Sequence, residues 1–498
     1  MILAIDEGTT GVTCLVIDRD GRVRGRGYRE FTQHFPRPGW VEHDAEEIWS
    51  VVREVSAEAA TAAATTLDAL EGIGITNQRE TVVVWDRETG QPVHRALVWQ
   101  DRRTADLCRT LEEGGYERDI RERTGLLIDP YFSATKLTWL FEQNPDLLQR
   151  AEGGELAVGT IDSWLVWKLT GGAIHVTEPT NASRTLLFNL DSRGWDPVLL
   201  DRFGVPGAVL PEIRSSSEQY AVSNGDAFGA EIPIAGMAGD QQAALFGQGC
   251  WTEGLGKNTY GTGAFLLLHT GANRVASQHG LLTTVACGPR GEYAFALEGA
   301  IFIAGAAVQW LRDALGVIET ARETEGLARS LESNDGVYFV PAFTGLGAPH
   351  WEADARGTLV GLSRGTGTAH LARAALESMA YATHDVADAM EADSGVEMRE
   401  LRVDGGVAAN DWLMQFQSDI LAIPVRRPAV IETTASGAAG LAGLATGFWS
   451  SPQEFLSART DDTLFEPAMH DAAARQELLA GWHRAVQATR TWATYAKP

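Results

Sequence analysis

Ile2-Leu3-Ala4-Ile5-Asp6-Glu7-Gly8-Thr9-Thr10-Gly11-Val12 opens the chain as a strand, a Gly/Thr turn and the start of a return strand that reaches Ile17. Four apolar residues, two acids and a Gly-bounded turn form a β-hairpin signature, and a further turn at Asp20-Gly21 ends the return strand. The same order comes back half a chain later, as Asn258 to Tyr260, Gly261-Thr262-Gly263 and Ala264 to His269. Gly8 and Gly261 are 253 positions apart, and a strand, helix and Gly-turn series follows each hairpin. This predicts a duplicated α/β architecture whose two domains are residues 1–250 and 251–498.

Working outward, Asp44 to Ala64 reads as a helix, with Asp44 and Glu47 at capping-box spacing before Ile48, Trp49, Val51 and Val52. A strand over 71–76 runs straight into Asn77-Gln78-Arg79-Glu80. In the second half, Leu401 to Val403 is a short strand entering Asp404-Gly405-Gly406, and Asn410 to Ile420 has helical amphipathic spacing. Ile431 to Phe448 is rich in Ala and Gly, suited to a helix packed closely on a sheet, and after Ser451-Pro452 the polar tail reads as a peripheral helical end.

A chain of 498 residues, 44% hydrophobic and 21% charged, has apolar material for more than one core. Its net charge of -25 argues against a nucleic-acid groove and against binding an anionic membrane, both of which need clustered basic residues. Cys14, Cys108, Cys250 and Cys287 lie scattered with no metal-ligand spacing, which suits free thiols in a reducing, cytoplasmic compartment. The apolar start ends at Asp6 without a basic flank, too brief for a signal peptide, and no stretch approaches a membrane span.

Phosphate groups need backbone N–H donors that can approach closely, so Gly-rich turns recur at nucleotide sites. Three occur here: Gly8-Thr9-Thr10-Gly11, Gly261-Thr262-Gly263 and Asp404-Gly405-Gly406. Taken singly each is a simple loop turn, but their placement at matching points of a repeat points to phosphate. Neither G-x-x-x-x-G-K-[ST] nor G-x-G-x-x-G after a strand is present. Phosphoryl transfer also wants a carboxylate for the hydroxyl proton and one toward Mg²⁺. Asp6, beside the first turn, suits Mg²⁺; Asp240, opening the helix Gln241 to Phe246, suits the proton, its plain alternative being an N-cap. Arg79 and Glu80 offer donors and an acceptor to a polyol only if the chain has left the strand by then, with Trp99 as an apolar wall; otherwise they are a solvated surface pair. Gly361-Leu362-Ser363-Arg364-Gly365 matches the G-x-S-x-G elbow of hydrolases, but no His partner or oxyanion loop accompanies it.

Together with Val98 to Arg103, Asp129-Pro130-Tyr131-Phe132-Ser133, Gly239-Asp240-Gln241-Gln242, Lys257 to Gly263, Pro341 to Pro349 and Val403 to Gly406, these stretches resemble the FGGY carbohydrate kinases over nearly the whole chain. The resemblance implies an α/β, duplicated ribonuclease-H-like fold of the actin and sugar-kinase superfamily, two domains with an interdomain cleft. Within the family it is to members that act on glycerol, which implies phosphorylation of glycerol by MgATP in a homodimer or homotetramer. The acceptor site it implies is Arg79, Glu80, Trp99, Tyr131, Asp240, Gln241 and Phe265, with Asp240 as general base. The nucleotide site it implies is Thr9, Thr10, Gly11, Thr262, Gly305, Gln309, Gly406 and Asn410, with Asp6 serving Mg²⁺. The rival readings are a kinase of another polyol or ketopentose and, from a different class, a non-catalytic nucleotide switch on the same scaffold.

This chain departs from the family in places. Glu7 stands for the usual Gln, Gly11 for Ser, and Thr13 where members carry a phosphate-contacting Arg, so weaker ATP binding or a substitute Arg is expected. Members inhibited by fructose bisphosphate carry Gly-Thr-Arg before Ile-Pro, where this chain has Gly229-Ala230-Glu231-Ile232-Pro233. Members activated by His phosphorylation carry a His where Asp226 is the nearest residue here, so neither control is expected.

Overall fold

A computed structural model of the chain describes residues 1–429, 432–457 and 462–495. They form two compact units, the first of Met1–Trp251, Thr283–Phe295 and Thr433–Thr460, the second of Thr252–Leu282, Ala296–Glu432 and Asp461–Pro498. Two segments from the second half of the sequence thus pack into the first unit, so a single cut near residue 250 follows chain order but not packing.

In the first unit, Ile2–Glu7 pairs antiparallel with Gly11–Ile17, and Asp6 lies opposite Thr13. Both faces of this hairpin are apolar. Leu3, Ile5, Val12, Cys14 and Val16 face the helix Ala45–Ala62, while Ile2, Ala4, Leu15 and Ile17 share a core with Ala435, Ala439 and Ala442 of the helix Thr433–Thr446. Side chains alternate along a strand, so Asp6 emerges on the Thr433–Thr446 face and Glu7 on the other. Gly72–Asn77 lies parallel beside the first strand with Thr76 next to Asp6, and Pro233–Gly239 lies parallel beside that. Ser217–Val222 and Val23–Glu30 complete a six-stranded sheet at its two edges.

The Ala/Gly composition of Thr433–Thr446 has a steric cause. A Cβ on Gly74 would sit 2.1 Å from the Ala438 carbonyl oxygen, and one on Gly437 only 1.9 Å from that of Ala243. The helix expected from Ile431 starts at Thr433; Ile431 itself lies outside the described residues. Asp44 caps Ala45–Ala62 by accepting from the amides of Glu46 and Glu47 at 2.9 and 3.2 Å. The expected capping box does not close. Glu47 instead accepts from the amide and hydroxyl of Thr32 at 3.0 and 2.9 Å, tying the helix to the preceding loop.

The second unit repeats the pattern. Leu255–Tyr260 pairs antiparallel with Ala264–Gly271 and parallel with Glu400–Asp404, and Thr259 lies beside Asp404 as Asp6 lies beside Thr76. Val425–Arg427 and Thr463–Phe465 extend this sheet. The predicted helix after Gly406 is Asp411–Leu421, and the Asn410 side chain caps it through the Leu413 amide at 2.9 Å. Among the described residues the elbow-like Ser363 makes only local turn bonds, with Thr366 and the Gly365 amide, and no His hydrogen-bonds to it. It therefore lacks the base a serine nucleophile needs. All four cysteines are free and buried, and no described helix is long and apolar enough to cross a membrane.

The tail is helical, Ala472–Tyr495, but it is not peripheral: Leu479, Trp482, Ala485 and Val486 are buried in the core of the second unit. Trp482 stacks on Tyr381 and donates its indole N–H to Asp385 at 2.7 Å, and His483 Nε2 lies 3.0 Å from the other Asp385 oxygen. Burial pushes the Asp385 carboxyl up, but its contacts with His350, His483 and Trp482 outweigh that and hold it at about 2. A depressed carboxyl stabilises the fold fully above the ordinary range near ~4 and loses that contribution as pH falls through its folded value. The hydrogen bond to Asp385 holds His483 above its usual value, so its contribution is present in acid and fades as pH rises through that value. Asp385→Asn is expected to cost about 2 kcal/mol near pH ~5.5, a deficit that closes toward pH ~2. Denaturant midpoints across that range check this; a deficit independent of pH would rule it out.

Candidate active site

The strand Gly72–Asn77 ends just before Arg79 and Glu80, and Glu80 has φ +65°. This left-handed residue turns the chain out of the strand, so neighbouring side chains are no longer forced to opposite faces. Both are buried, at 3% and 1% exposure, which excludes a solvated surface pair. Arg79 Nε lies 3.2 Å from Asp240 Oδ1 and 3.8 Å from Glu80 Oε1, and Arg79 Nη1 donates to Gln242 Oε1 at 3.3 Å. Gly239 is needed here because a Cβ would sit 2.7 Å from the Arg79 side chain.

Glu80 is also gripped from behind. Arg184, itself fully buried, donates through Nε to Glu80 Oε1 at 2.6 Å, and its guanidinium lies over the rings of Tyr131 and Phe132 at 5.4 and 5.2 Å. Ser133 Oγ donates to the Glu80 carbonyl at 2.8 Å. The Tyr131 ring meets Trp99 edge-on, with centroids 5.5 Å apart, giving an apolar corner next to the charged groups. Buried Lys136 fixes the loop carrying Tyr131 by donating to the carbonyls of Pro130, Tyr131 and Phe132.

Asp240 begins the helix Asp240–Gly247, but Gly239 holds the cap position. The Asp240 carboxylate accepts from the Gln241 amide at 2.7 Å and faces the Gln241 side-chain amide at 3.3 Å, with 32% of its side chain exposed. Asp6 is half-buried, and removal from water together with the nearby Asp240 carboxylate raises its carboxyl to about 7. Glu7 is fully buried; burial pushes it well up despite the Gln78 side-chain N–H at 2.8 Å. A carboxylate whose charge is disfavoured by a second one beside it marks a place that favours a cation. Among the described residues no group of three or more His, Cys, Asp or Glu is arranged for a metal, so a cation here would rely on one or two carboxylates plus other oxygens. Mg²⁺ binds in that manner, keeping waters and phosphate oxygens in its shell.

In the first turn, Gly8 N–H donates to the Gly11 carbonyl at 3.0 Å and Gln33 Nε2 to the Thr9 carbonyl at 3.0 Å, while the Thr10 carbonyl accepts from Phe31. The Thr9 and Thr10 amides have no acceptor among the described residues. Gly11 has a reason of its own, since a Cβ there would lie 2.6 Å from the Arg29 carbonyl oxygen of the adjoining strand. Thr13 sits across from Asp6 and is half-exposed.

In the second unit, Gly305 N–H donates to the Gly261 carbonyl at 3.0 Å, and the Ala304 and Ala306 amides to the Thr262 carbonyl at 2.8 and 3.1 Å. A Cβ on Gly405 would sit 2.2 Å from the Tyr260 carbonyl oxygen. The Gly261–Gly263 turn, the start of the helix Gly305–Asp313 and the Gly405-Gly406 turn therefore share one locality. Asn410 follows there, its side-chain amide 3.4 Å from Thr324 Oγ1. Gln309 is exposed one turn into the helix, and Phe265 lies opposite Thr259, half-exposed.

Thus the first unit brings together Arg79, Glu80, Trp99, Tyr131, Asp240 and Gln241 with Asp6 and Thr9, and the second gathers Thr262, Gly305, Gly406 and Asn410. Arg184 and Lys136 had no motif to announce them, and Ser133 closes a recognisable run that gave it no role of its own. Asn181-Ala182-Ser183 has the form of a glycosylation acceptor, but the Asn181 side chain is fully buried and paired with Asn77 at 3.0 Å.

A duplicated hairpin-and-parallel-strand core with Gly turns in both halves, and a buried guanidinium–carboxylate site in one, defines a two-domain sugar-kinase fold. The chain belongs to the FGGY family of carbohydrate kinases: residues 1–247 match its N-terminal domain and residues 256–446 its C-terminal domain. It is 56% identical to a glycerol kinase of Xanthomonas axonopodis pv. citri over 98% of both chains. It is 53% identical to a glycerol kinase of Petrotoga mobilis, covering 99% of this chain and 98% of that one. Among solved structures it is similar to Plasmodium falciparum glycerol kinase with ADP, with a TM-score of 0.93, 37% identity and 98% of each chain covered.

Proposed function

We propose that this chain transfers the γ-phosphoryl group of ATP to a terminal hydroxyl of glycerol, giving sn-glycerol 3-phosphate. The observation that carries the reading is the Arg79–Asp240 contact of 3.2 Å beside a buried Glu80 that Arg184 holds at 2.6 Å. A triol needs this mixture, because each hydroxyl both donates and accepts. Arg79 donates to, and Glu80 accepts from, the two hydroxyls that do not react, while Trp99 and Tyr131 pack on the carbon chain. Gln241 steadies Asp240, and Phe265 keeps the acceptor-binding role that the family resemblance gives it. With two oxygens fixed, the third is held for attack on the γ-phosphorus, and Asp240 takes its proton as the new P–O bond forms and the bond to ADP breaks.

Apart from Phe265, residues 1–250 supply the acceptor site and the first phosphate turn, residues 251–498 the second. In the first unit Thr9, Thr10 and Gly11 are assigned to phosphate; in the second Thr262, Gly305, Gln309, Gly406 and Asn410 are assigned to the nucleotide. Asp6, with Asp240 near it, is the carboxylate suited to Mg²⁺, which when bound neutralises phosphate charge. The reading includes a cytoplasmic location, in keeping with four free and buried thiols, and a homodimer or homotetramer.

A panel of glycerol, xylulose, ribulose and erythritol with coupled ADP detection tests this. Glycerol is expected to give the highest kcat/KM; a longer substrate ahead of it would install the rival kinase reading, and ATP binding with no transfer the nucleotide-switch reading. Thr13→Arg, which restores a cation beside Asp6, is expected to lower the KM for ATP by about 3- to 10-fold. An unchanged KM would show that another group already fills that role. Glu231 is exposed where fructose bisphosphate-sensitive members carry a cation, so that compound is expected to leave activity unchanged at low salt.

A further inference from the structure

Trp99 is tied at two points. Its backbone N–H donates to the Thr81 hydroxyl at 3.2 Å, which in turn donates to Gln78 Oε1 at 2.9 Å, and Gln78 reaches the buried Glu7. Its indole Nε1–H donates to Thr9 Oγ1 at 2.9 Å. The ring that forms the apolar corner with Tyr131 is thus bonded to the middle of the first Gly/Thr turn.

The second bond has a directional consequence. An indole N–H only donates, whereas a hydroxyl carries one hydrogen and two acceptor lone pairs. Held by Trp99, Thr9 Oγ1 is committed as an acceptor on that side, and its single hydrogen must be given elsewhere. Phosphate oxygens only accept. Thr9 is half-exposed, and its turn is pinned through the Thr9 carbonyl by Gln33 and through the Gly8–Gly11 bond, so the hydroxyl cannot easily turn away.

We propose that Trp99 is a positioning residue for the nucleotide: by donating to Thr9 it leaves the Thr9 hydroxyl oriented as a donor to a phosphate oxygen of ATP. The inference rests on the reading above, in which Thr9 contacts phosphate and Trp99 walls the acceptor. It goes further in assigning the acceptor wall a second task, so that a change on the glycerol side alters nucleotide affinity.

The test is a double-mutant cycle on the full chain with Trp99→Phe, Thr9→Val and both together, measuring kcat, KM for ATP at saturating glycerol and KM for glycerol at saturating ATP. Trp99→Phe keeps an apolar ring but has no N–H. It is expected to raise KM for ATP about 3- to 10-fold, while in the Thr9→Val background the same change has no further effect on that constant. Thr9→Ser, which keeps the hydroxyl, is expected to recover most of the affinity lost in Thr9→Val, a measurement that stands even if Trp99→Phe fails to fold. An unchanged KM for ATP in Trp99→Phe, an equal effect of that change in both backgrounds, or equal losses in Thr9→Ser and Thr9→Val would overturn the proposal. A wild-type chain that turns over no glycerol would instead defeat the functional reading, so the two failures are distinguishable.

Discussion

Asp240→Asn is expected to fold and bind both substrates while kcat falls by about 10²- to 10⁴-fold. The substitution is isosteric, and its amide oxygen can still meet Arg79, whose Nε lies 3.2 Å from the carboxylate in the native chain. What disappears is a group able to accept a proton as the acceptor oxygen attacks. Loss of an interaction used only in the transition state lowers kcat and kcat/KM together and leaves KM for glycerol nearly unchanged. Coupled ADP production gives the rate, and a single-turnover experiment excludes slow product release as its cause. Removing the charge also takes away one of the two carboxylates that favour a cation beside Asp6, so weaker Mg²⁺ binding is expected to accompany the slower turnover, and the rate is read at saturating Mg²⁺. A kcat within about threefold of wild type would end the assignment of Asp240 as base, since even weak general-base catalysis exceeds that factor.

What the sequence discloses depends on whether the cause is local. The hairpin at Ile2–Ile17 is legible because both faces are apolar and the turn chemistry is written in adjacent residues. The exit of the chain at Arg79-Glu80 is legible for a similar reason, as a strand pattern stops before it, and Glu80 does adopt a left-handed conformation. The half-closed capping box is a local rule lost to a competitor: Thr32, not the helix end, takes the Glu47 carboxylate. Thr433–Thr446 announces close packing by its composition, yet nothing local says which sheet it packs on. In the terminal helix, Leu479, Trp482 and Val486 form an apolar stripe at helical spacing, masked by the polar residues between them. The acceptor site divides along the same line. Arg79, Glu80, Trp99, Tyr131 and Asp240 stand in short recognisable runs, whereas Arg184 acquires its partner from 104 residues away.

Arg184→Met is accordingly the more instructive change in the fold, expected to destabilise the first unit by about 3–5 kcal/mol. Arg184 has no exposed surface, and its Nε lies 2.6 Å from Glu80 Oε1. Met keeps much of the side-chain volume against Tyr131 and Phe132, so the loss is mainly of charge compensation. Glu80, 1% exposed, would then be left with the more distant Arg79, 3.8 Å away and already engaged by Asp240. A buried carboxylate stripped of its closer partner costs far more than the pair contributes, so Glu80→Gln in the same chain is expected to return most of the lost stability. It is not expected to return activity, because an amide in place of the carboxylate no longer accepts strongly from a substrate hydroxyl. Denaturant midpoints of wild type, both single variants and the double variant separate these effects, with KM for glycerol read alongside. If Arg184→Met were as stable as wild type, the carboxylate would have to be satisfied by other groups, and its fixed orientation, on which the grip of a triol depends, would need another source.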